Sequence, residues 1–269
     1  MSKTFARILA STISLLTNMQ RAERGERNRL LLRDLLTEKH SIETSRGLIS
    51  LVCNSASEVH YAHHFFDREP SALRWIESFE GPCTFWDVGA NIGIYSLFAA
   101  LKRNVKVYAY EPSASSHAAL YTNISANSLD DQVVALCLGF FEKTELGRLY
   151  MSTVQAGAAM HQFGDLEGSS LDDGNRKYMQ HVITFTIDQF RKLFKLQVPT
   201  YLKIDVDGVE REILYGASET LRDENIRSIL IEMSVSNPIK NKNIINFLGD
   251  YNYRIKSELS EGENVVFSR

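Results

Sequence analysis

The 269-residue chain predicts an α/β fold in which a mostly parallel sheet is covered by helices on both faces. Strand-like runs near 84–87, 106–110, 132–137, 200–204 and 228–232 alternate with helix-like segments near 93–102, 113–126, 208–215 and 239–248. Alternation of that kind builds parallel βαβ units. The first run ends in Asp87-Val88-Gly89-Ala90-Asn91-Ile92-Gly93. This is a strand–turn–helix junction whose glycines let backbone amides come close to a ligand. Composition agrees: 44% hydrophobic and 23% charged residues are globular values. A core of this size needs no metal or disulfide staple.

Residues 1 to about 40 read as two helices. In the first, Phe5, Ile8, Leu9, Thr12, Leu15 and Leu16 share one face, which predicts docking onto the main domain or a dimer partner. Peripheral membrane contact stays open, but the stretch is too short and too polar to span a bilayer. No small-x-small cleavage site separates it from the charged run Arg21 to Arg29. The second helix, Glu26 to Thr37, is rich in Leu and Arg. A strand over 48–52 follows, then His60-Tyr61-Ala62-His63-His64. Ser71 is placed to cap a helix through Leu73, Trp75 and Ile76, which Gly81-Pro82 stops. The chain thus divides into an N-terminal helical extension over 1–80, serving as a substrate-side or oligomerisation cap, and a main domain over 81–269.

Within the main domain, residues 142 to 199 form an insertion before Lys203. Its small-residue loop Gln155-Ala156-Gly157-Ala158-Ala159-Met160-His161 and the Gly/Asp/Ser-rich stretch Gly164 to Gly174 predict a lid or binding loop. Tyr251 to Lys256 and Asn264 to Phe267, around Glu261-Gly262-Glu263, predict an antiparallel hairpin at the C-terminus.

Bulk charge narrows the partners. Thirty basic and 33 acidic side chains leave a net charge of −3, with no general field for nucleic acid. The three cysteines, Cys53, Cys83 and Cys137, are odd in number and lack C-x-x-C spacing. That argues for free thiols in a reducing, cytoplasmic setting rather than zinc or a disulfide framework.

A ligand site is written at the strand ends. Glu111 ends the second core strand 22 positions after Gly89, the distance at which an acid reaches ribose hydroxyls. The loop spacing is D-x-G-x-x-x-G, with Asn91 where a dinucleotide fingerprint has its middle glycine. An asparagine crowds a pyrophosphate but hydrogen-bonds the carboxylate or amine of an amino acid, and Asp87 makes the loop entrance suit a cation. S-adenosylmethionine, a sulfonium with an amino acid tail and a ribose, satisfies both. A nicotinamide-dependent oxidoreductase is the rival enzyme class, against which Asn91 argues. A binding or scaffold subunit with a degenerate site is the non-enzymatic rival, against which the intact residue set argues.

Asp87-Val88-Gly89-Ala90-Asn91-Ile92-Gly93-Ile94-Tyr95-Ser96, the Glu111-Pro112 pair and Leu202-Lys203-Ile204-Asp205-Val206-Asp207-Gly208-Val209-Glu210 resemble the FkbM family of S-adenosylmethionine-dependent methyltransferases. Phe185-Thr186-Ile187-Asp188 and Ile213-Leu214-Tyr215-Gly216-Ala217 extend the resemblance, which covers about 85 to 235 in order. It implies a Rossmann-like class I methyltransferase fold with S-adenosylmethionine held by Asp87, Gly89, Asn91, Gly93 and Glu111. It also implies methyl transfer to a hydroxyl of a sugar, glycan precursor or natural product.

A hydroxyl is a poor nucleophile near neutral pH, so a base or a metal should help remove its proton. Asp205 ends the fourth strand and shares a face with Lys203; it is the leading candidate, with a capping or helix-start role at the Gly208 turn as the other reading. His161 is a second candidate base, in an A-G-x-A-x-H stretch similar to that of family members. Asp205 with Glu232 is a lesser candidate pair for a divalent cation; no metal is expected. His60, His63 and His64 have no supporting ligand and read as packing or pocket lining. Asp207 and Glu210 belong to the motif, Glu210 fixing the loop or contacting substrate. The third strand is followed by Cys137-Leu138-Gly139-Phe140, without the acid many methyltransferases carry there. Adenine recognition then passes to backbone groups and the ring of Phe140 or Phe141.

Overall fold

The computed structural model describes residues 3–19, 21–159, 161–164 and 176–269. They belong to two compact units, Met1–Lys39 and His40–Arg269. The first unit pairs α1 (Lys3–Asn18) with α2 (Ala22–Leu35). Gly25 lets the two helices close, because a Cβ there would stand 2.4 Å from the Thr17 carbonyl oxygen.

The second unit opens with the hairpin of β1 (Glu38–Thr44) and β2 (Gly47–Cys53), followed by α3 (Ala56–His63) and α4 (Pro70–Glu77). Proline at the first position of α4 needs no backbone donor there. The helix is therefore preceded by Glu69, and Ser71, expected as its cap, is buried inside it. Leu51, Trp75, Ile76 and Phe79 share one core with Phe85 and Phe98. The expected boundary at 80/81 thus falls inside a single unit, and the division lies at 39/40. The physical reason is apolar: β2 and α4 bury their faces against the main sheet.

Next come β3 (Cys83–Val88), α5 (Ile94–Ala100), β4 (Val105–Tyr110), α6 (Ala114–Ala126) and β5 (Val133–Leu136). The chain leaves the main sheet through β6 (Gly139–Phe140), β7 (Glu145–Met151), β8 (Gln162–Phe163) and β9 (Tyr178–Phe185). It returns by α7 (Ile187–Phe194), β10 (Tyr201–Ile204), α8 (Glu210–Tyr215), β11 (Ser228–Glu232), α9 (Pro238–Asp250), β12 (Arg254–Ile255) and β13 (Asn264–Ser268). The main sheet has the order β12-β13-β11-β10-β3-β4-β5. Its strands β11, β10, β3, β4 and β5 run parallel, while β13 is antiparallel to β11 and to β12. The fold is the expected Rossmann-like α/β arrangement with its C-terminal hairpin. Strand alternation splits the interior into two cores, Phe85 facing one and Trp86 and Val88 the other.

Residues 142–199 differ from the irregular lid expected of them. β6 to β9 form a second sheet of order β6-β9-β7-β8. Leu149, Met151 and Val182 bury its inner face, while Leu146, Tyr178, Met179 and Ile183 are exposed on it. Apolar residues on both faces blur the period-2 signal that marks a strand. Met160 and residues 165–175, most of the Gly/Asp/Ser-rich stretch, lie outside the described residues. Among the described residues no helix is long and apolar enough to cross a membrane.

Candidate active site

Strand order reverses between β3 and β10, and ligands of open α/β sheets bind outside the carboxyl ends of the strands at such a point. The ends of β3, β4, β10 and β11 open there on one cavity, whose walls include Gly89, Asn91, Glu111, His161 and Asp205.

One wall is made by the loop after β3 and the tip of β4. Gly89 has φ 85°, and a Cβ on it would stand 1.9 Å from the Asp205 carbonyl oxygen. Only glycine lets the loops after β3 and β10 meet this closely. Asn91, at φ 50°, is in the left-handed region that asparagine tolerates. Its N–H donates to Glu111 Oε2 at 2.8 Å, and the Ser113 N–H donates to Glu111 Oε1 at 2.7 Å. Burial pushes the Glu111 carboxyl up to about 7, against the pull of those two amides. The Asn91 side-chain amide donates to Tyr61 Oη at 3.2 Å and to the Ala158 carbonyl at 3.3 Å, leaving its Oδ1 buried without a partner.

Asp87 and Gly93 stand behind this wall, not on it. Asp87 is fully buried, accepts from Ser96 Oγ at 2.6 Å, and lies in register with Lys203 across β3 and β10. Burial raises its pKa and Lys203 opposes the rise. Gly93 precedes α5 at φ 92°, and a Cβ there would meet Leu120 Cδ1 at 2.4 Å. Asp87 is taken up beneath the loop by Ser96 and Lys203, and helix packing occupies Gly93.

The opposite wall is a buried charge cluster. The Lys203 ammonium, 1% exposed, pairs with Asp205 Oδ2 and lies 4.7 Å from the centre of the Tyr95 ring. Burial alone lowers such an amine, but Asp205, Asp87 and Glu69 outweigh it and hold Lys203 above its ordinary value. Glu232 is pushed up to about 9 by burial and by Asp205, so at neutral pH it carries a proton and hydrogen-bonds Asp205. Burial also raises Glu69, which accepts from Tyr95. The Asp205–Glu232 pair expected as a lesser cation site is therefore joined by a proton and flanked by an ammonium. Among the described residues no group of three or more His, Cys, Asp or Glu is arranged to hold a metal.

His161 reaches the cavity from the segment before β8. Its N–H donates to Asp207 Oδ2 at 2.6 Å, which ties the segment to the loop after β10. Both ring nitrogens are buried without a partner, and burial lowers the imidazole pKa. Glu210 accepts from the Gly208 N–H at 3.0 Å and pairs with Lys240, fixing the same loop. Phe140 lines the cavity, whereas Phe141 packs on Phe163 with ring centres 4.8 Å apart. The His60 and His64 rings lie tilted against each other with centres 4.4 Å apart, and His63 meets His40 edge-on at 5.1 Å.

Residues 87–255 match the family described as the methyltransferase FkbM domain, more than half of the chain. The chain belongs to the FkbM methyltransferase family. An FkbM methyltransferase moves a methyl group, so the oxidoreductase alternative falls. A comparison with curated proteins found no match. Similar solved structures include precorrin-6y C5,15-methyltransferase from Geobacter metallireducens GS-15, at 15% identity and TM-score 0.42 over 74% of this chain and 84% of that one. Precorrin 8W decarboxylase from Methanobacterium thermoautotrophicum is similar at 13% identity and TM-score 0.41, over 74% and 88%. Ribosomal protein L11 methylase from Lactobacillus delbrueckii subsp. bulgaricus is similar at 13% and 0.38, over 74% and 76%. These are distant likenesses.

Several cavity residues of this FkbM methyltransferase carry no motif of their own. Tyr61, Arg68 and Glu69 come from the segment around α3 and α4, where the Arg68 guanidinium lies 4.3 Å from the Tyr61 ring centre. The only sequence signal near them is the charged pair before Pro70. Tyr95 sits inside the loop motif, but its link to Glu69 depends on how α4 packs.

Proposed function

We propose that this chain is an S-adenosylmethionine-dependent O-methyltransferase acting on a hydroxyl of a sugar, glycan precursor or natural product. One observation carries the reading: a single cavity holds both the amide-bound carboxyl of Glu111 and the unpartnered, neutral imidazole of His161.

The residues fit the cofactor. Each Glu111 oxygen keeps an acceptor site for a ribose hydroxyl. The buried, partnerless Asn91 Oδ1 can accept from an ammonium, and Leu138 and Phe140 add apolar lining. Gly89, Asn91 and Glu111 would hold the cofactor, with Asp87 and Gly93 supporting that loop from behind. S-adenosylmethionine, when bound, supplies a methyl group activated by its sulfonium.

The remaining tasks fall to side chains. Burial keeps His161 neutral, so a ring nitrogen can take the acceptor's proton as its oxygen attacks. Asp205 is already engaged by Lys203 and by the proton on Glu232. Its role is to accept a hydrogen bond from the acceptor and hold that oxygen in line. The base and the orienting group, which the sequence leaves open between two residues, are thereby different residues. Cys53, Cys83 and Cys137 are free thiols, in keeping with a reducing cytoplasmic setting.

Calorimetry with S-adenosylmethionine tests the cofactor, and mass spectrometry of sugars and lipid-linked glycans after incubation tests the acceptor. Binding that Glu111→Ala weakens, together with methylated hydroxyls, is expected. Absence of binding would return the chain to the scaffold alternative.

A further inference from the structure

The N-terminal unit leaves apolar surface uncovered after its own helices have closed. Thr17 and Gly25 already meet where α1 and α2 pack, and Arg29 ties them by donating to Thr17 Oγ1 at 2.7 Å. Even so, Phe5, Ile8 and Leu16 on one face of α1 are 59%, 61% and 59% exposed, and Leu31 and Leu35 of α2 are 50% and 81% exposed. Exposed large apolar side chains gathered on one small unit mark an interaction site.

Charge selects the occupant. Residues 1–39 hold eight of the chain's 30 Lys and Arg but only four of its 33 Asp and Glu, so the unit is basic and the rest of the chain acidic. Arg7, Arg21, Arg24 and Arg27 are exposed. The unit sets the apolar face of α1 beside an α2 whose Arg24 and Arg27 continue into Leu31 and Leu35 along one face, a combination that fits the boundary between headgroups and acyl chains of an anionic bilayer. A second copy meeting this patch by two-fold symmetry would bring one basic surface against another. A nucleic acid would leave the leucines in water.

We propose that the α1–α2 pair is a peripheral anchor for an anionic lipid bilayer. The apolar side chains enter the acyl boundary, the arginines lie at the phosphates, and the acidic remainder is held near a surface that would otherwise repel it. The anchor is independent of what the cavity methylates.

Vesicle flotation of the full chain tests this. Flotation is expected with phosphatidylcholine vesicles containing about 30% phosphatidylglycerol, and not with phosphatidylcholine alone; the difference should shrink in high salt. Arg24→Gln with Arg27→Gln should weaken partitioning about 30-fold, the loss expected for two basic charges at an anionic surface. Leu16→Gln with Leu35→Gln should abolish flotation, both positions being exposed. Unchanged S-adenosylmethionine binding or an unchanged melting curve shows that each variant is folded. No flotation with either vesicle, or equal flotation with both, overturns the proposal. So does a dimer in light scattering that the leucine variants disperse.

Discussion

The two walls of the cavity are built by different means. The wall carrying Gly89, Asn91 and Glu111 is backbone: amides of Asn91 and Ser113 hold the carboxyl, and the glycine lets two loops touch. The wall carrying Lys203, Asp205, Glu69 and Glu232 is side chain, charges balanced around one buried ammonium. Backbone geometry follows from a short stretch of chain and tolerates changes elsewhere. A charge cluster depends on every member, because removing one leaves the others buried and unpaired. The first wall should therefore fail by degrees and the second all at once.

Lys203→Met is the most severe way to break that contrast. It leaves Asp87 and Asp205 without their cation, and a loss of about 3–5 kcal/mol in stability is expected from denaturant unfolding. Because Asp87 stands behind the other wall, cofactor affinity should fall with it. Preserved stability would mean that the carboxyls simply protonate and that the two walls are independent.

His161→Gln addresses the chemistry without touching either framework. Turnover should fall about 10²- to 10⁴-fold while cofactor affinity holds. The wild-type rate should rise with pH through an acid limb centred below 6.5, since burial favours the neutral ring, and the variant should lose that limb. A retained limb would assign it to another group.

Glu111→Ala sharpens the backbone wall. Loss of a charged hydrogen bond should weaken cofactor binding by about 1.5–3 kcal/mol, read by calorimetry. Ribose hydroxyls donate to the ionised carboxyl, whose free value is about 7. Affinity should therefore weaken below pH 7, by about tenfold per unit where one proton must be released, and level off above it. Glu111→Gln should flatten that profile.

Glu232→Gln should have the smallest effect in acid, because glutamine, like the protonated carboxyl, donates to Asp205. The difference lies in pH dependence. The folded-state value of about 9 is above the ordinary one, so the protonated form's contribution is full in acid and is lost as pH rises toward 9. Thermal unfolding should show stability falling over that window in the wild type and less steeply in the variant. Identical slopes would remove Glu232 from the cluster.

Legibility in the sequence follows the same division. Asp87-x-Gly89-x-Asn91 and Glu111 could be read as a ligand loop because turn glycines and a strand-end acid are local signals. That Asp87 and Gly93 support the loop from behind was not readable, since facing depends on which strand and helix lie next to them. That Lys203 and Asp205 share a face follows from strand alternation; that they pair is shown by the structure. The arrival of Glu69 and Tyr95 was not readable, because α4 and α5 are brought together only by the apolar core. The second sheet is hard to read for a related reason: Leu146, Met179 and Ile183 put apolar residues on its open face.

By itself the sequence determined the alternation of strands and helices in the main sheet, the candidate ligand loop and the family to which the chain belongs. Periodicity and turn chemistry are properties of a few adjacent residues, and they survive without tertiary context. Only the tertiary structure decided where the units divide and which carboxyl keeps its proton. It also decided that a lysine stands at the centre of the charged wall. Burial and neighbouring charge set those outcomes, and both depend on the order in which β3, β10 and β11 lie side by side.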